Sequence, residues 1–396
     1  MGAGPLAGIK VLDLTSVVVG PSCTLLLAQQ GAEVIKLEPP EGDLLRKLGG
    51  KSRTPGMAPK FLHFNRGKQS ICIDLKTAGG RDVVRRLVAG VDVFVSNIRA
   101  KALARLGLDW ETLGAANPRL VYCTIAGFGS GGRYRDKPAY DTIVQGVSGM
   151  ADSMGRVFGA PRYMPFVIAD HVTGFLAAQA ICAALVGRAS SGCGQAIEVP
   201  MFENMASFVL REHMAQRSYG PDGTIGDARM FDPNGRPAAT KDGHICVSPN
   251  TDAQAFAFFV AAGRSELRDD PRFASVHARV ANTDAYFAMR AALLAERTTA
   301  EWIALLDAAG VPAMQVNSIE DLFHDPHLAD VGLIEMQDHA TEGRVHALRP
   351  ANRFSDGLPA MRDAPRQGAD GPGILAGLGY TPAEIANLVG SAVLVS

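Results

Sequence analysis

The chain has 396 residues, of which 47% are hydrophobic and 20% charged, and its formal net charge at pH 7 is −1. These values are typical of a globular protein with more than one packed unit. The near-zero charge gives no reason to expect nucleic acid or an anionic membrane as a partner. No apolar run reaches the roughly 20 residues that span a bilayer. Residues 1–6 carry neither a secretory signal nor a myristoylation motif, so we expect a cytoplasmic protein.

The six cysteines are scattered along the chain, without a Cys-x-x-Cys pair. Most have apolar neighbours, as Cys72 and Cys182 do, which predicts reduced thiols in a cytosolic protein. The sequence indicates no zinc site, because His324 and His327 lie on a polar segment without a clear third ligand nearby.

Strand-like and helix-like stretches alternate over the first half of the chain. Short apolar runs bounded by polar residues predict strands, and proline or glycine marks the ends of the first helix. The predicted strands cover residues 9–14, 32–37, 70–75, 91–95 and 120–125, and the predicted helices cover 20–30 and 80–89. This order predicts a parallel sheet covered on both faces, with its ligand beyond the carboxyl ends of the strands.

The second half of the chain has a different pattern. Residues 166–186 are mostly apolar and predict a buried helix, with Asp170 and His171 near its start. Further on, the pattern predicts a strand at 244–247, a helix at 299–309, irregular strands and loops from 344, and a final helix at 382–389 that Thr381 caps.

Residues 218–242 are rich in Gly, Pro and Asp, which indicates a domain junction. We therefore predict a large α/β domain over residues 1–217 and a small α+β domain with its linkers over 218–330. A carboxyl-terminal segment, 331–396, is expected to return to the large domain. The predicted fold class is α/β, with a Rossmann-like parallel sheet in the large domain.

A dinucleotide-binding βαβ unit is one interpretation of the amino-terminal pattern, because the acidic Glu38 ends the second strand at the expected distance. The first turn, however, reads Val17-Val18-Val19-Gly20-Pro21 instead of Gly-x-Gly-x-x-Gly. Branched valines keep a pyrophosphate away from the backbone, whereas glycines admit it. The turn therefore argues against a nicotinamide cofactor, although the fold remains Rossmann-like.

A series of short motifs runs in order through nearly the whole chain. They include Val19-Gly20-Pro21, Asn65-Arg66-Gly67-Lys68, Asn97-Ile98-Arg99, Arg105-Leu106-Gly107-Leu108, Gly127-Phe128-Gly129, Tyr140-Asp141, Asp170 with Thr173-Gly174, and Leu378-Gly379-Tyr380. Each motif is weak alone, but their order and spacing together are specific. On these motifs the sequence resembles the class III coenzyme A transferases, the family of formyl-CoA transferase and carnitine CoA-transferase.

The resemblance implies that Asp170 is a covalent nucleophile. In this family an aspartate attacks an acyl-CoA and forms a mixed anhydride, which the CoA thiolate converts to an aspartyl-CoA thioester before an acceptor carboxylate takes over. Coenzyme A and acyl-CoA are then substrates, and no tightly bound cofactor or metal is implied. The alternative role of Asp170 is structural, since an aspartate near a helix start often only caps the helix.

The resemblance also implies a set of coenzyme A contacts at the first turn and beyond later strands. They are Val18, Val19, Ile73, Asn97, Ile98, Arg99, Arg105, Lys137 and Tyr140. Of these, Arg105 and Lys137 are expected to pair with phosphates. The alternatives are that the cations are solvated surface residues and that Ile73 and Ile98 only pack in the core.

Some positions depart from the family pattern. Pro39 stands where some relatives carry arginine, and Ser16 and Val18 stand where some carry histidine and glutamine. Ile98 replaces a more usual phenylalanine, so it cannot stack as an aromatic. These departures bear on how coenzyme A is held.

Two other functions stay open from the residues. Acyl-CoA racemases of related fold carry histidine directly before the aspartate of the earlier motif, whereas this chain has Tyr140 before Asp141. A non-catalytic CoA-binding protein would leave Asp170 idle. The resemblance further implies a homodimer of interlinked chains, with acyl-CoA and carboxylic acids as substrates. The acids are not identified, though Arg162 is a candidate for binding a dicarboxylate.

Overall fold

The computed structural model describes residues 2–395. Its strands are β1 Lys10–Leu14, β2 Glu33–Glu38, β3 Lys68–Ile73, β4 Val93–Ser96, β5 Val121–Ala126, β6 Gln195–Pro200, β7 Ala238–Ala239, β8 His244–Val247, β9 Ala313–Gln315, β10 Ile334–His339, β11 Gly343–Leu348 and β12 Leu394–Val395. Its α-helices are α1 Val19–Gln29, α2 Pro59–Phe64, α3 Ala78–Ala89, α4 Ala100–Leu106, α5 Trp110–Ala116, α6 Asp141–Val147, α7 Met150–Phe158, α8 Ile168–Ser191, α9 Met201–His213, α10 Ala228–Phe231, α11 Asp252–Ala261, α12 Val276–Ala281, α13 Thr283–Leu294, α14 Thr299–Ala308, α15 Pro326–Asp330, α16 Gly371–Gly377 and α17 Pro382–Gly390.

The central sheet contains six parallel strands in the order β3-β2-β1-β4-β5-β6, and β12 pairs antiparallel with the outer edge of β3. This is the strand order of doubly wound dinucleotide-binding folds. In the central strands, the side chains on both faces of the sheet are buried, because helices cover both faces. In β1, for example, all residues after Lys10 are buried. The predicted α/β fold with a central, mostly parallel sheet is confirmed.

Contacts divide the chain into two compact units. The first contains residues up to Ser148, 163–207 and those from 329 onward, and the second contains 149–162 and 208–328. The sequence-based boundaries lay at 218 and 331 and did not assign 149–162 to the small domain. Compact units need not coincide with folding domains, so those domain boundaries stay a prediction.

The second unit has its own aromatic core and a small antiparallel sheet. The sheet has the order β7-β8-β9. Phe258, Phe259, Phe273, Tyr286 and Trp302 pack together in the core, with Phe258 and Trp302 stacked at 6.2 Å between ring centroids. Trp302 also donates a hydrogen bond of 2.8 Å to the carbonyl oxygen of Leu294, which satisfies its buried indole nitrogen.

Residues after 329 are built into the first unit. Arg66 donates to the carbonyl oxygen of Leu348 at 2.6 Å, and the Ser70 amide donates to Asp370 at 2.8 Å. The last strand completes the attachment, because Leu394 pairs with Ile73 and its side chain is buried.

Helix α8 is 24 residues long and packs against α1, β5 and β6. By length and composition alone it could cross a bilayer, but core helices meet the same criterion. A glycine lets α8 approach α1 closely: a Cβ atom at Gly174 would lie 2.6 Å from the carbonyl oxygen of Val19. This approach places the start of α8 beside the first turn after β1.

Candidate active site

The first strand ends in a buried carboxylate that organises the turn after it. Asp13 is fully buried, accepts a 2.6 Å hydrogen bond from the hydroxyl of Thr24, and forms an ion pair of 3.1 Å with Lys68. A second buried lysine, Lys36, lies 2.8 Å from Asp43 and donates to the carbonyl oxygen of Thr15. Burial opposes the charge on Asp13, but the neighbouring lysines and hydroxyls outweigh it and lower the pKa of that carboxyl.

The turn after β1 is fixed by hydrogen bonds to Asp43 and to Asn97. Val17 has a positive φ of 66°, unusual for a branched residue, and its amide donates to Asp43 at 3.0 Å. The amide of Ser16 donates to the side-chain oxygen of Asn97 at 3.1 Å, and the Asn97 side-chain nitrogen donates back to the carbonyl oxygen of Ser16 at 2.9 Å. Asn97 thus ties together the loops after β1 and β4, where the strand order reverses and ligands of such sheets bind.

Glu38, the acidic residue of the dinucleotide interpretation, is occupied within the protein. It is buried, and its two carboxylate oxygens accept hydrogen bonds of 2.6 and 2.7 Å from Arg46. The hydroxyl of Ser70 donates to it at 2.7 Å. A carboxylate engaged in this way is not free to bind a ribose, which agrees with the sequence argument against a nicotinamide cofactor.

Asp170 lies in the first turn of α8 with only 7% of its surface exposed. Within residues 2–395, its carboxylate accepts no hydrogen bond and forms no ion pair within bonding distance. Burial is the main cause that raises the pKa of Asp170 to about 7, and the negative charge of Asp141 raises it further. The carboxylate is therefore costly to ionise where it stands.

Asp141 performs the capping that sequence reasoning had offered as the alternative role of Asp170. One of its carboxylate oxygens accepts the amides of Ala169 at 2.8 Å and Asp170 at 3.2 Å. The other accepts 2.6 Å from the side chain of Gln145, which in turn accepts the amide of Met164 at 2.9 Å. The start of α8 is thus satisfied by another helix, and the side chain of Asp170 is not used for it.

Within the described residues, the side chain of His171 makes no hydrogen bond to Asp141 or Asp170, although the charge of Asp141 partly offsets the effect of burial on the pKa of His171. Tyr140, directly before Asp141, is 69% exposed. The ring of His171 lies near Phe64, at 5.6 Å, and Phe175, at 6.0 Å between centroids. Burial lowers the pKa of His171, so its neutral form is favoured.

The residues predicted to contact coenzyme A fall into three environments. Val18, Val19 and Ile73 are buried; Asn97 and Ile98 are half-buried; Arg99, Arg105, Lys137 and Tyr140 are exposed. The side chain of Val18 packs with Leu45 and Phe61 in a small core. Arg105 forms no hydrogen bond or ion pair with any residue from 2 to 395, whereas Lys137 lies 4.6 Å above the ring of Tyr134. These contact assignments stay predictions.

The glycine-containing loop after β5 is fixed by two glutamates that sequence reasoning missed. The amide of Gly129 donates to Glu203 at 2.8 Å, and the amide and hydroxyl of Ser130 each donate to Glu198 at 2.9 Å. Phe128 in this loop helps to line a cavity of about 280 Å³ with Tyr134 and Phe202. The loop lies at the same edge of the sheet as the first turn and Asn97, because all three follow parallel strands.

Comparison with known proteins identifies the family of this arrangement. Residues 6–371 match the model of CoA-transferase family III. The chain belongs to this family. The motif resemblance is thereby confirmed, and this family III protein is a CoA-transferase that acts on CoA substrates.

Relatives of this CoA-transferase match most of its length. It is 36% identical to the succinate–glutarate CoA-transferase of Agrobacterium fabrum over 83% of this chain and 84% of the relative. It is 31% identical to the formyl-CoA:oxalate CoA-transferase of Escherichia coli over 96% of this chain and 97% of the relative. The crystal structure of a CAIB/BAIF family protein from Brucella suis is also similar, with 35% identity, a TM-score of 0.78, and coverage of 95% of this chain and 100% of that one.

Proposed function

We propose that this CoA-transferase works through covalent intermediates on Asp170. The carboxylate attacks the thioester carbonyl of an acyl-CoA, the carbon–sulfur bond breaks, and a mixed anhydride and the CoA thiolate result. The thiolate attacks the aspartyl carbonyl and releases the donor acid, leaving an aspartyl-CoA thioester. The acceptor carboxylate displaces the thiolate to form a second anhydride. Attack of the thiolate on the acceptor carbonyl gives the new acyl-CoA and restores the carboxylate.

The observation that carries this proposal is that the buried carboxylate of Asp170 has no hydrogen-bond or ion-pair partner among residues 2–395. Its ionised form is disfavoured by burial and by Asp141, which raises the pKa of Asp170 to about 7. A carboxylate of higher pKa is more basic, and acylation replaces its buried charge with a neutral anhydride or thioester. The surroundings that destabilise the ionised Asp170 therefore favour its acylated state.

We further propose that coenzyme A lies along the carboxyl ends of β1, β4 and β5. Arg105 is exposed on α4 and unpaired in the described chain, and we assign it to donating hydrogen bonds to a phosphate of coenzyme A. Since the half-buried Asn97 is engaged with Ser16, we assign it to shaping this crevice for coenzyme A.

For the acids exchanged, we propose that one is a short dicarboxylic acid. The names of the two curated relatives described above contain succinate, glutarate or oxalate. Arg162, considered from sequence as a dicarboxylate ligand, belongs to the second unit, where its guanidinium lies 4.9 Å from the ring centroid of Phe158. A panel of succinate, glutarate and oxalate with a common acyl-CoA donor measures the preference.

The mechanism is tested by trapping. Incubation with acyl-CoA followed by hydroxylamine is expected to convert Asp170 to a hydroxamate, detectable by peptide mass spectrometry, because both intermediates are activated acyl groups. The variant Asp170→Ala is expected to lose transfer while its circular dichroism stays unchanged. Asp82→Asn, an exposed carboxylate of the same unit, serves as the control and keeps full activity. Near-normal transfer by folded Asp170→Ala protein would contradict the mechanism.

We also propose that the protein is a cytoplasmic homodimer. Large apolar side chains are exposed on two adjacent helices of the first unit, α6 and α8: Ile143, Val147, Phe175, Leu176 and Val186. A second chain that covers them removes this surface from water. The six cysteines are all free thiols, which agrees with a reducing compartment.

A further inference from the structure

The second unit contains a cavity of about 350 Å³ between the 229–238 segment, the end of β8, and helices α12 and α13. This volume lies within the range of small-molecule pockets. Its charged lining residues are all arginines, with no aspartate or glutamate among them: Arg229, Arg236, Arg279 and Arg290.

Only two of these arginines are neutralised by carboxylates. Arg229 pairs with Asp227 at 2.9 Å, and Arg279 pairs with Asp252 at 2.7 Å. Arg236 has no hydrogen bond or ion pair with the part of the chain that the structure describes. Arg290 donates to the carbonyl oxygen of Val247, a neutral partner. No carboxylate among residues 2–395 therefore balances the charges of Arg236 and Arg290 in the cavity.

Two buried polar atoms on α13 also lack partners. Tyr286 lines the cavity with 5% of its surface exposed, and its buried hydroxyl makes no hydrogen bond with residues 2–395. Nε of Arg290, one turn further along α13, is likewise buried without a partner. Buried donors are nearly always satisfied in folded proteins, so these two donors, on residues that line the cavity, are left available to an acceptor that enters it.

Neutral polar side chains of Asn234, Ser248, Asn250 and Thr283 also line the cavity, and the side chains of the remaining wall are apolar. Val276, Val280, Phe287, Ala291 and Leu294 line it. An occupant that satisfies both parts of the lining has anionic oxygens at one end and a short hydrocarbon body at the other. We propose that the second unit binds such an organic anion, with a carboxylate or phosphate head held by Arg290, Arg236 and Tyr286. This proposal does not depend on the transfer mechanism, because every residue it uses belongs to the second unit and none is assigned to the chemistry.

The test uses isothermal titration calorimetry on the full-length protein. Octanoate and octyl phosphate present the two possible heads on the same body, octanol lacks the charge, and inorganic phosphate lacks the body. We expect one of the two octyl anions to bind once per chain, and which one binds identifies the head. Octanol and inorganic phosphate are expected to bind at least tenfold more weakly. Equal affinity for octanol overturns the proposal, as does the absence of binding by both octyl anions.

Three variants locate the site. Arg290→Met is expected to weaken binding at least tenfold, as loss of a charged hydrogen bond does. Tyr286→Phe removes only an unpartnered hydroxyl, so its thermal unfolding is expected to stay close to that of the parent while its affinity falls. Arg268→Met, exposed in the same unit and outside the cavity lining, is the matched control and keeps full affinity. Unchanged binding in folded Arg290→Met and Tyr286→Phe proteins overturns the assignment, whatever the outcome of the hydroxylamine experiment.

Discussion

At the scale of single residues, Asp170 and Asp141 show how one carboxylate is satisfied while its neighbour is left unpaired. Asp141 accepts three hydrogen bonds from the protein, two of them from the amides at the start of α8. Asp170 accepts none from residues 2–395, although it is buried beside the same helix start. The two carboxylates therefore have different roles at the start of α8. Asp141 caps the helix, and Asp170 is left without a structural role that would prevent it from reacting.

This division has a consequence for stability. An aspartate has its usual pKa near 4 when unfolded, and in the folded protein burial and Asp141 raise the pKa of Asp170 to about 7. Between these values the unfolded state binds fewer protons, so the contribution of Asp170 to stability falls as pH rises from about 4 to 7. Asp170→Asn keeps a neutral side chain. We expect it to match the parent near pH 4 and to exceed it by roughly 2–4 kcal/mol above pH 7.

Urea unfolding of the parent and the Asp170→Asn variant at several pH values measures this difference. Asp82→Asn, at an exposed position, gives the control for a lost surface charge. A constant difference from pH 4 to pH 8 would show that Asp170 has the same pKa in the folded and unfolded protein, contrary to this account.

At the scale of helices and strands, the packing of α8 on α1 determines where Asp170 lies. Gly174→Ala is expected to destabilise the protein by about 1–3 kcal/mol, because the added Cβ would lie 2.6 Å from the carbonyl oxygen of Val19 and force the helices apart. Gly187, on the same helix, has only the side chain of Gln195 within range, at 3.9 Å. Gly187→Ala is therefore the matched control and is expected to stabilise by about 0.5–1 kcal/mol.

Chemical denaturation of the two variants gives the result. Equal effects of both substitutions would mean that α8 is not tightly packed at Gly174. We also expect folded Gly174→Ala protein to transfer CoA more slowly than the parent, because the shift of α8 displaces Asp170.

Most strands of the central sheet could be located from the sequence. The first five strands were located within two residues at each end, because branched apolar residues recur in each of them. The third lies two residues earlier than predicted, and it begins with Lys68, a charged residue that is buried with an oppositely charged partner. That partner is Asp13, 55 positions away, so only the folded chain reveals the pairing. Strand β6 was missed because most of its residues are exposed or half-buried.

The candidate site was predictable to a similar degree. The family motifs identified Asp170, but the cap supplied by Asp141 lies 29 positions away and involves backbone amides, which no local pattern encodes. Glu198 and Glu203 hold the loop after β5 through backbone amides in the same way. Asn97 reaches Ser16 because β4 lies beside β1 in the sheet. The alternation of strands and helices in the sequence does not determine this order of strands.

At the scale of the whole molecule, we predict a dimer whose chains do not separate on dilution. Light scattering is expected to give twice the chain mass of 41.8 kDa over a wide range of concentration. If the chains are interlinked, tagged and untagged dimers mixed in native buffer exchange no subunits, because exchange requires unfolding. They form mixed dimers after joint denaturation and refolding. A monomer mass at all concentrations would contradict the dimer, and rapid native exchange would contradict the interlinking.

The attachment of β12 to β3 also bears on how the protein is synthesised. Strands β1 to β5 leave the ribosome early, yet the outer edge of β3 is covered by residues much later in the chain. Ser70 exchanges hydrogen bonds with Asp370, Cys72 and Ile73 pair with β12, and Leu394 packs against Gly371. During most of translation β3 is thus an open edge, able to pair with a strand of another nascent chain. Residues 394–395 cover the part of this edge at Cys72 and Ile73, so a chain truncated before Leu394 keeps nearly all its core but leaves that part of β3 open to pairing with other chains.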